Sequence, residues 1–212
     1  MYLARFFALS SLIAMGVVAH ADIFIQAGPG NFQGDENILF NESGLTGSGN
    51  PVQGVTNNSG FLVSFLSNEL LNTPSGGQAR VRAQDGAFDF MSISLDDDPM
   101  AGYTSLILNI NAVANGTVNF TIEQLVGPAF MASFNVVGGG QNFFRIFALN
   151  GQIITNSMFT TSVGVSDIRQ VRIGGATTNF PPTEAVPEPA TMVLGIGAVA
   201  AAYMRRRKAR LA

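Results

Sequence analysis

Cysteine and tryptophan are missing from this sequence altogether, and histidine and lysine occur once each. The histidine, His20, and the lysine, Lys208, lie near opposite ends of the chain. These absences remove whole classes of chemistry from residues 22–184. Without histidine, cysteine or lysine there is no Ser-His-Asp triad, no Cys-His pair, no Schiff base and no histidine zinc site. Without cysteine no disulfide braces the fold, so stability rests on packed apolar side chains. Phenylalanine is the large side chain on hand: fifteen of seventeen lie between 22 and 184, beside a single tyrosine, Tyr103. Positive charge is scarce there too. Thirteen carboxylates stand against five arginines, Arg80, Arg82, Arg145, Arg169 and Arg172, a net charge of −8. A surface of that sign repels nucleic acid and anionic lipid, and it is compatible with cations or neutral glycans.

The two ends are built differently from the interior. At the N-terminus Arg5 precedes an apolar run over 6–19 that is broken only by Ser10, Ser11 and Gly16. The run closes on Ala19-His20-Ala21, a small-x-small triplet. Basic start, apolar middle and small-residue site make a secretory signal peptide, cut between Ala21 and Asp22 by signal peptidase. The alternative is a buried N-terminal helix. It is disfavoured because the triplet runs straight into the strand-like Asp22-Ile23-Phe24-Ile25.

At the C-terminus Val186-Pro187-Glu188-Pro189 is stiff and extended, because each proline fixes its own φ and biases the residue before it away from helix. An uncharged apolar run follows over 190–204, and Arg205, Arg206, Arg207 and Lys208 then close it. As a helix the run is about 22 Å long against a hydrocarbon core of about 30 Å. It holds a membrane if Tyr203 sits at the interface and the arginines snorkel. The basic cluster stays cytoplasmic by the positive-inside tendency, leaving Pro187, Glu188 and Pro189 outside.

Diproline motif, glycine- and alanine-rich apolar segment and arginine cluster, in that order at the very end of the chain, resemble the PEP-CTERM sorting signal. The resemblance covers residues 186–212. It implies recognition by an exosortase, a membrane-embedded cysteine protease or transpeptidase, and a cut near Pro187-Glu188-Pro189. The outer domain would then be released or passed to another carrier, in a Gram-negative bacterium that makes extracellular polysaccharide. The resemblance implies no fold and no molecular activity for the rest of the chain. The competing reading is a tail anchor that is never cut.

Between the ends, strand signals recur at short spacing with Gly, Asn, Pro and Ser between them. The cleanest is 116–123, where Val118, Phe120 and Ile122 alternate with Thr117, Asn119 and Thr121. Similar signals occupy 38–40, 52–56, 61–66, 79–83, 104–111, 131–137, 143–149, 153–156 and 169–173. In 87–95 the apolar phase slips between Phe88/Phe90 and Met91/Ile93/Leu95, which predicts a β-bulge near Phe90-Met91 or burial of both faces. The single helix-like stretch, 66–71, is too short to build a layer. The pattern predicts an all-β fold: an antiparallel two-sheet sandwich of jelly-roll type, flanked by the N-terminal signal helix and the short C-terminal transmembrane helix. The expected organisation is a signal peptide over 1–21, the sandwich over 22–178, a linker over 179–186 and the sorting signal over 187–212. The stretch Asp167-Ile168-Arg169-Gln170-Val171-Arg172-Ile173-Gly174-Gly175 also resembles the final strand of other PEP-CTERM outer domains. Those are often sandwiches of the carbohydrate-binding-module kind, which again implies a jelly roll.

Three chemistries remain to weigh. Paired carboxylates as in glycoside hydrolysis would have to come from Asp85, Asp89, Asp96, Asp97, Asp98 and Glu123, which solvated surface positions explain more simply. No catalytic residue is therefore assigned, and the protein is read as not an enzyme. No cofactor is called for. The one metal the residues suit is calcium, at Asp96, Asp97 and Asp98 or at Asp35, Glu36 and Glu42 with Asp167, against the alternative of an ordinary polar turn. Glycan binding lacks the usual Trp and Tyr platforms, and Arg80 and Arg82, on one strand face opposite Val81, are expected to pair with nearby aspartates. The sequence reads as an exported envelope or extracellular-matrix protein, anchored transiently in the inner membrane. It would be a structural or adhesive sandwich associated with exopolysaccharide or biofilm; the alternative is a carbohydrate- or calcium-binding module of that matrix. Its partners would be signal peptidase, the secretion machinery and the exosortase.

Overall fold

The computed structural model describes residues 22–28, 35–74, 80–96 and 100–178. The chain divides into two units, 1–178 and 179–212, and every described residue lies in the first. The signal segment with Ala19 and Ala21, the linker, Pro187, Glu188 and Pro189, the apolar run and Arg205, Arg206, Arg207 and Lys208 fall outside the described residues, as do Asp97 and Asp98.

Among the described residues there are thirteen strands and no helix. They are β1 (Ile23–Ala27), β2 (Glu36–Leu39), β3 (Ser48–Gly49), β4 (Val52–Thr56), β5 (Leu62–Ser67), β6 (Leu71–Asn72), β7 (Arg80–Ala83), β8 (Phe88–Leu95), β9 (Ser105–Ala112), β10 (Gly116–Gln124), β11 (Phe130–Val136), β12 (Asn142–Ala148) and β13 (Ile154–Gly174). The helix-like stretch 66–71 is the end of β5, a bend, and the start of β6.

The fold is an all-antiparallel β-sandwich whose two layers are joined by β13, which belongs to both, and by β2, which pairs with β13 and with β4. The first half of β13 lies between β10 and β8, whereas its second half lies between β9 and β7, with β2 at its end. One layer therefore runs β11-β10-β13-β8-β5-β4, and the other β1-β12-β9-β13-β7. The sequence pattern treats 153–156 and 169–173 as separate strands. They are the two ends of one 21-residue strand. Its middle escaped notice because the pairing shifts register three times there, which scrambles the period-2 signal.

Alternation elsewhere works as the residues predict. In β10, Val118, Phe120 and Ile122 are buried and point at the facing layer, where β9 contributes Leu106, Leu108 and Ile110. Phe120 meets Phe144 of β12 across the core with ring centroids 4.9 Å apart, and Phe134 of β11 reaches the same ring at 5.5 Å. Phe159 of β13 closes the cluster at 6.0 Å from Phe120. This phenylalanine stack does the work that a disulfide does in many small exported domains. The register slip expected near Phe90-Met91 falls between Phe90 and Phe88, where four residues of β13, 161–164, stand against the single Asp89 of β8. Phe88 and Met91, three positions apart, are both fully buried.

Candidate functional site: one arginine-bearing sheet face

Side chains directly opposite each other in an antiparallel pair lie on the same face. Applied across β1, β12, β9, β13 and β7, that rule lays out the face turned away from the core in rows. Gln26, Arg145, Ile107, Arg172 and, on β2, Asn37 form one row. Phe143, Asn109, Arg169 and Arg80 form the next. Asn111, Asp167 and Arg82 form a third. At the other end Phe24, Phe147 and Ser105 line up. Every arginine between residues 22 and 184 thus stands on one sheet face.

Two bulges in β13 make this possible. Arg169 and Arg172 are three apart and would face opposite sides of a regular strand. The pairing with β9 gains one residue between them, at Gln170, whose φ of 53° is left-handed, and both arginines emerge on the same side. A second shift, between Val165 and Asp167, brings Asp167 onto that face while Val165 and Ile168 stay in the core.

Asp167 is the electrostatic centre of the face. Its side chain is 1% exposed. It accepts hydrogen bonds from Arg80 Nη2 at 2.8 Å, Asn111 Nδ2 at 3.0 Å and Arg169 Nη2 at 3.0 Å, and also from Arg169 Nε. Burial by itself raises the carboxyl pKa. The bonds from Arg169, Asn111 and Arg80 and the nearby Arg169 charge outweigh it and hold the group at about 2. In return, Asp167 raises the Arg169 pKa further. Arg82, expected from sequence to pair with an aspartate, pairs with none among the described residues and donates from Nε to Asn72 Oδ1 at 2.6 Å. Asn109 is buried in the middle of the face, and its amide oxygen has no hydrogen-bond partner among the described residues.

Three phenylalanines share the face. Phe24 is 49% exposed and lies 5.0 Å from Phe147, over whose ring the Arg145 guanidinium sits at 5.4 Å. Phenylalanine was expected to supply core packing, and these three outward rings were not foreseen. The signal was available: Ile23 and Ile25 are the inward pair of β1, which leaves Phe24 out, and in Phe143-Phe144 only one ring can face the core. Tyr103 offers no sugar platform. It is fully buried, its hydroxyl 2.8 Å from Ser157 Oγ and 3.1 Å from the Ile93 carbonyl, and burial pushes its pKa up.

Asp35, Glu36, Glu42 and Asp167, considered together for calcium, are not gathered into one group. Among the described residues no three His, Cys, Asp or Glu side chains form a metal-sized group. Asp35 accepts from Ser105 Oγ at 2.8 Å, Glu36 accepts from the backbone N–H of Asn58 and Ser59, and Asp167 is bound to arginines. Asp96, the one described member of its triplet, accepts from Gln53 Nε2 at 2.7 Å. Of the enzyme candidates, Asp89 accepts from Asn68 Nδ2 at 2.8 Å.

An antiparallel sandwich with a polar, cationic and aromatic outer face defines the class; comparison with known proteins adds where the chain is sent. Residues 185–208 match the family model described as the PEP-CTERM protein-sorting motif. That match indicates export and exosortase-type sorting toward the cell surface. No curated protein matches the chain. Among solved structures it is similar to two variants of a family 29 carbohydrate-binding module, CBM29-2. Both are 10% identical and cover 73% of this chain; the coverage of the module is 89% and 90%, and the TM-scores are 0.24 and 0.22. Overlap at that score transfers no ligand.

Proposed function

We propose that this protein is a non-enzymatic component of the bacterial surface or extracellular matrix. A signal peptide cut after Ala21 exports it, an apolar stop over 190–204 holds it in the inner membrane, and exosortase processing at Pro187-Glu188-Pro189 frees a jelly-roll-type sandwich. The carrying observation is the sorting-motif match at the end of a domain that has no histidine, cysteine or lysine between 22 and 184. A rigid diproline segment outside the bilayer presents an extended backbone to a protease, and the cationic Arg205-Arg206-Arg207-Lys208 resists translocation. What remains after processing is a domain whose distinguishing surface is a side-chain array suited to adhesion.

Mass spectrometry of the mature protein from its host tests this. The expected mass starts at Asp22 and ends near Pro187, without the arginine cluster. A full C-terminus on protein recovered from the medium of a host with an exosortase would refute it.

A second reading, a glycan-binding module, is favoured by the arginine and phenylalanine face. Calcium binding at Asp96, Asp97 and Asp98 is tested by a calcium-dependent rise in melting temperature; no rise removes that reading.

A further inference from the structure

We infer that the arginine face binds an acidic, carboxylate-bearing polysaccharide; this deepens the matrix reading above and rests on it. The domain as a whole is acidic, yet three adjacent rows of this face carry Arg80, Arg82, Arg145, Arg169 and Arg172 against one carboxylate, Asp167. Asp22 and Asp35, toward the Phe24 end of the face, accept hydrogen bonds from Asn150 and Ser105. Charge segregation of this kind draws a polyanion to one side of an otherwise repelling molecule.

The type of cation narrows the partner. All five are arginines, whose planar forks take carboxylates two oxygens at a time. The rings of Phe24, Phe143 and Phe147 lie among them and supply apolar surface for the C–H faces of sugar rings. Peptide recognition is disfavoured by the backbone. Strands β12, β9 and β13 are interior to the layer, with hydrogen bonds made on both sides, so no edge is left there for strand addition. The face crosses five strands, roughly 19 Å at the usual strand spacing, and a linear polymer bearing regular carboxylates can lie along its rows. The amide oxygen of Asn109 at the centre, without a partner among the described residues, marks an acceptor that a sugar hydroxyl or a shifted guanidinium would satisfy.

The test uses the full chain in detergent micelles, titrated calorimetrically with polygalacturonate, neutral dextran and polyglutamate. Binding is expected to polygalacturonate and absent for dextran. It should weaken as salt rises from about 0.01 M to about 0.15 M, where the screening length falls from roughly 30 Å to roughly 8 Å. The double variant Arg82→Gln/Arg172→Gln spares the pair that holds Asp167 and should lower affinity about tenfold. Phe24→Ala, at a half-exposed ring, should lower it about threefold and provides a handle should the double variant lose its fold. Absence of polygalacturonate binding, equal binding of dextran, or equal binding of polyglutamate overturns the inference. So does a self-association in sedimentation that the arginine variants abolish while polygalacturonate is ignored, which would assign the face to a second copy of the chain. A processed tail without polygalacturonate binding sinks this inference and leaves the export reading standing; an unprocessed tail with it does the reverse.

Discussion

Replacing Asp167 by asparagine removes one charge from a site where two guanidinium groups and an amide converge. The native carboxyl group titrates at about 2, against an ordinary value of 3.8. Because the folded pKa lies below the unfolded one, the charged form stabilises the fold fully at neutral pH. That stabilisation is lost as pH falls from about 4 through about 2, where the unfolded chain takes up a proton more readily than the folded one. The shift corresponds to about 2 kcal/mol. Removing one member of a buried pair can cost about 3–5 kcal/mol. Here Arg80 and Arg169 are 38% and 43% exposed and can turn toward water, so the smaller figure applies and Asp167→Asn should cost about 2–3 kcal/mol at pH 7. Urea unfolding of both proteins at pH 7 and pH 2.5 (roughly the titration window) measures it. The gap between them should shrink markedly at the lower pH, since only the native protein loses this contribution. A gap that stays constant, or a cost at pH 7 below about 0.5 kcal/mol, would refute the placement of Asp167 as a charged, arginine-held centre.

Other perturbations probe the rest of the scaffold. Phe120→Ala removes the ring that touches Phe134, Phe144 and Phe159 and should cost about 3–5 kcal/mol in denaturant unfolding. At Gln170, φ is left-handed: Gln170→Val should cost about 1–3 kcal/mol more than Gln170→Gly in the same assay. A Cβ at Gly138 would stand 2.5 Å from the Ala114 Cα, so Gly138→Ala should lower the melting temperature, and more than an exposed glycine with open space would. Pro187→Ala/Pro189→Ala should leave the outer domain's melting temperature unchanged and block tail removal, read as retained mass in the host.

Much of the fold is legible from residues alone because most strands bury one face. In β10, Val118, Phe120 and Ile122 could not alternate with threonine and asparagine on any other backbone and still reach a core. Strand β4 is found at the residues the pattern assigns, Val52–Thr56. The short partners β3 and β6 were missed because two-residue strands carry no period, and β13 was halved because its bulges reset the period.

The candidate site divides along the same line. Linear order determined which residue types are scarce and that five arginines exist in an acidic domain, because composition needs no partner to be read. Only the tertiary structure decided that those arginines meet. Arg80 and Arg82 come from β7, Arg145 from β12, and Arg169 and Arg172 from opposite sides of a bulge in β13. Their shared face depends on register between strands distant in sequence, and on one extra residue at Gln170 whose effect no count of alternation within a single strand can reveal.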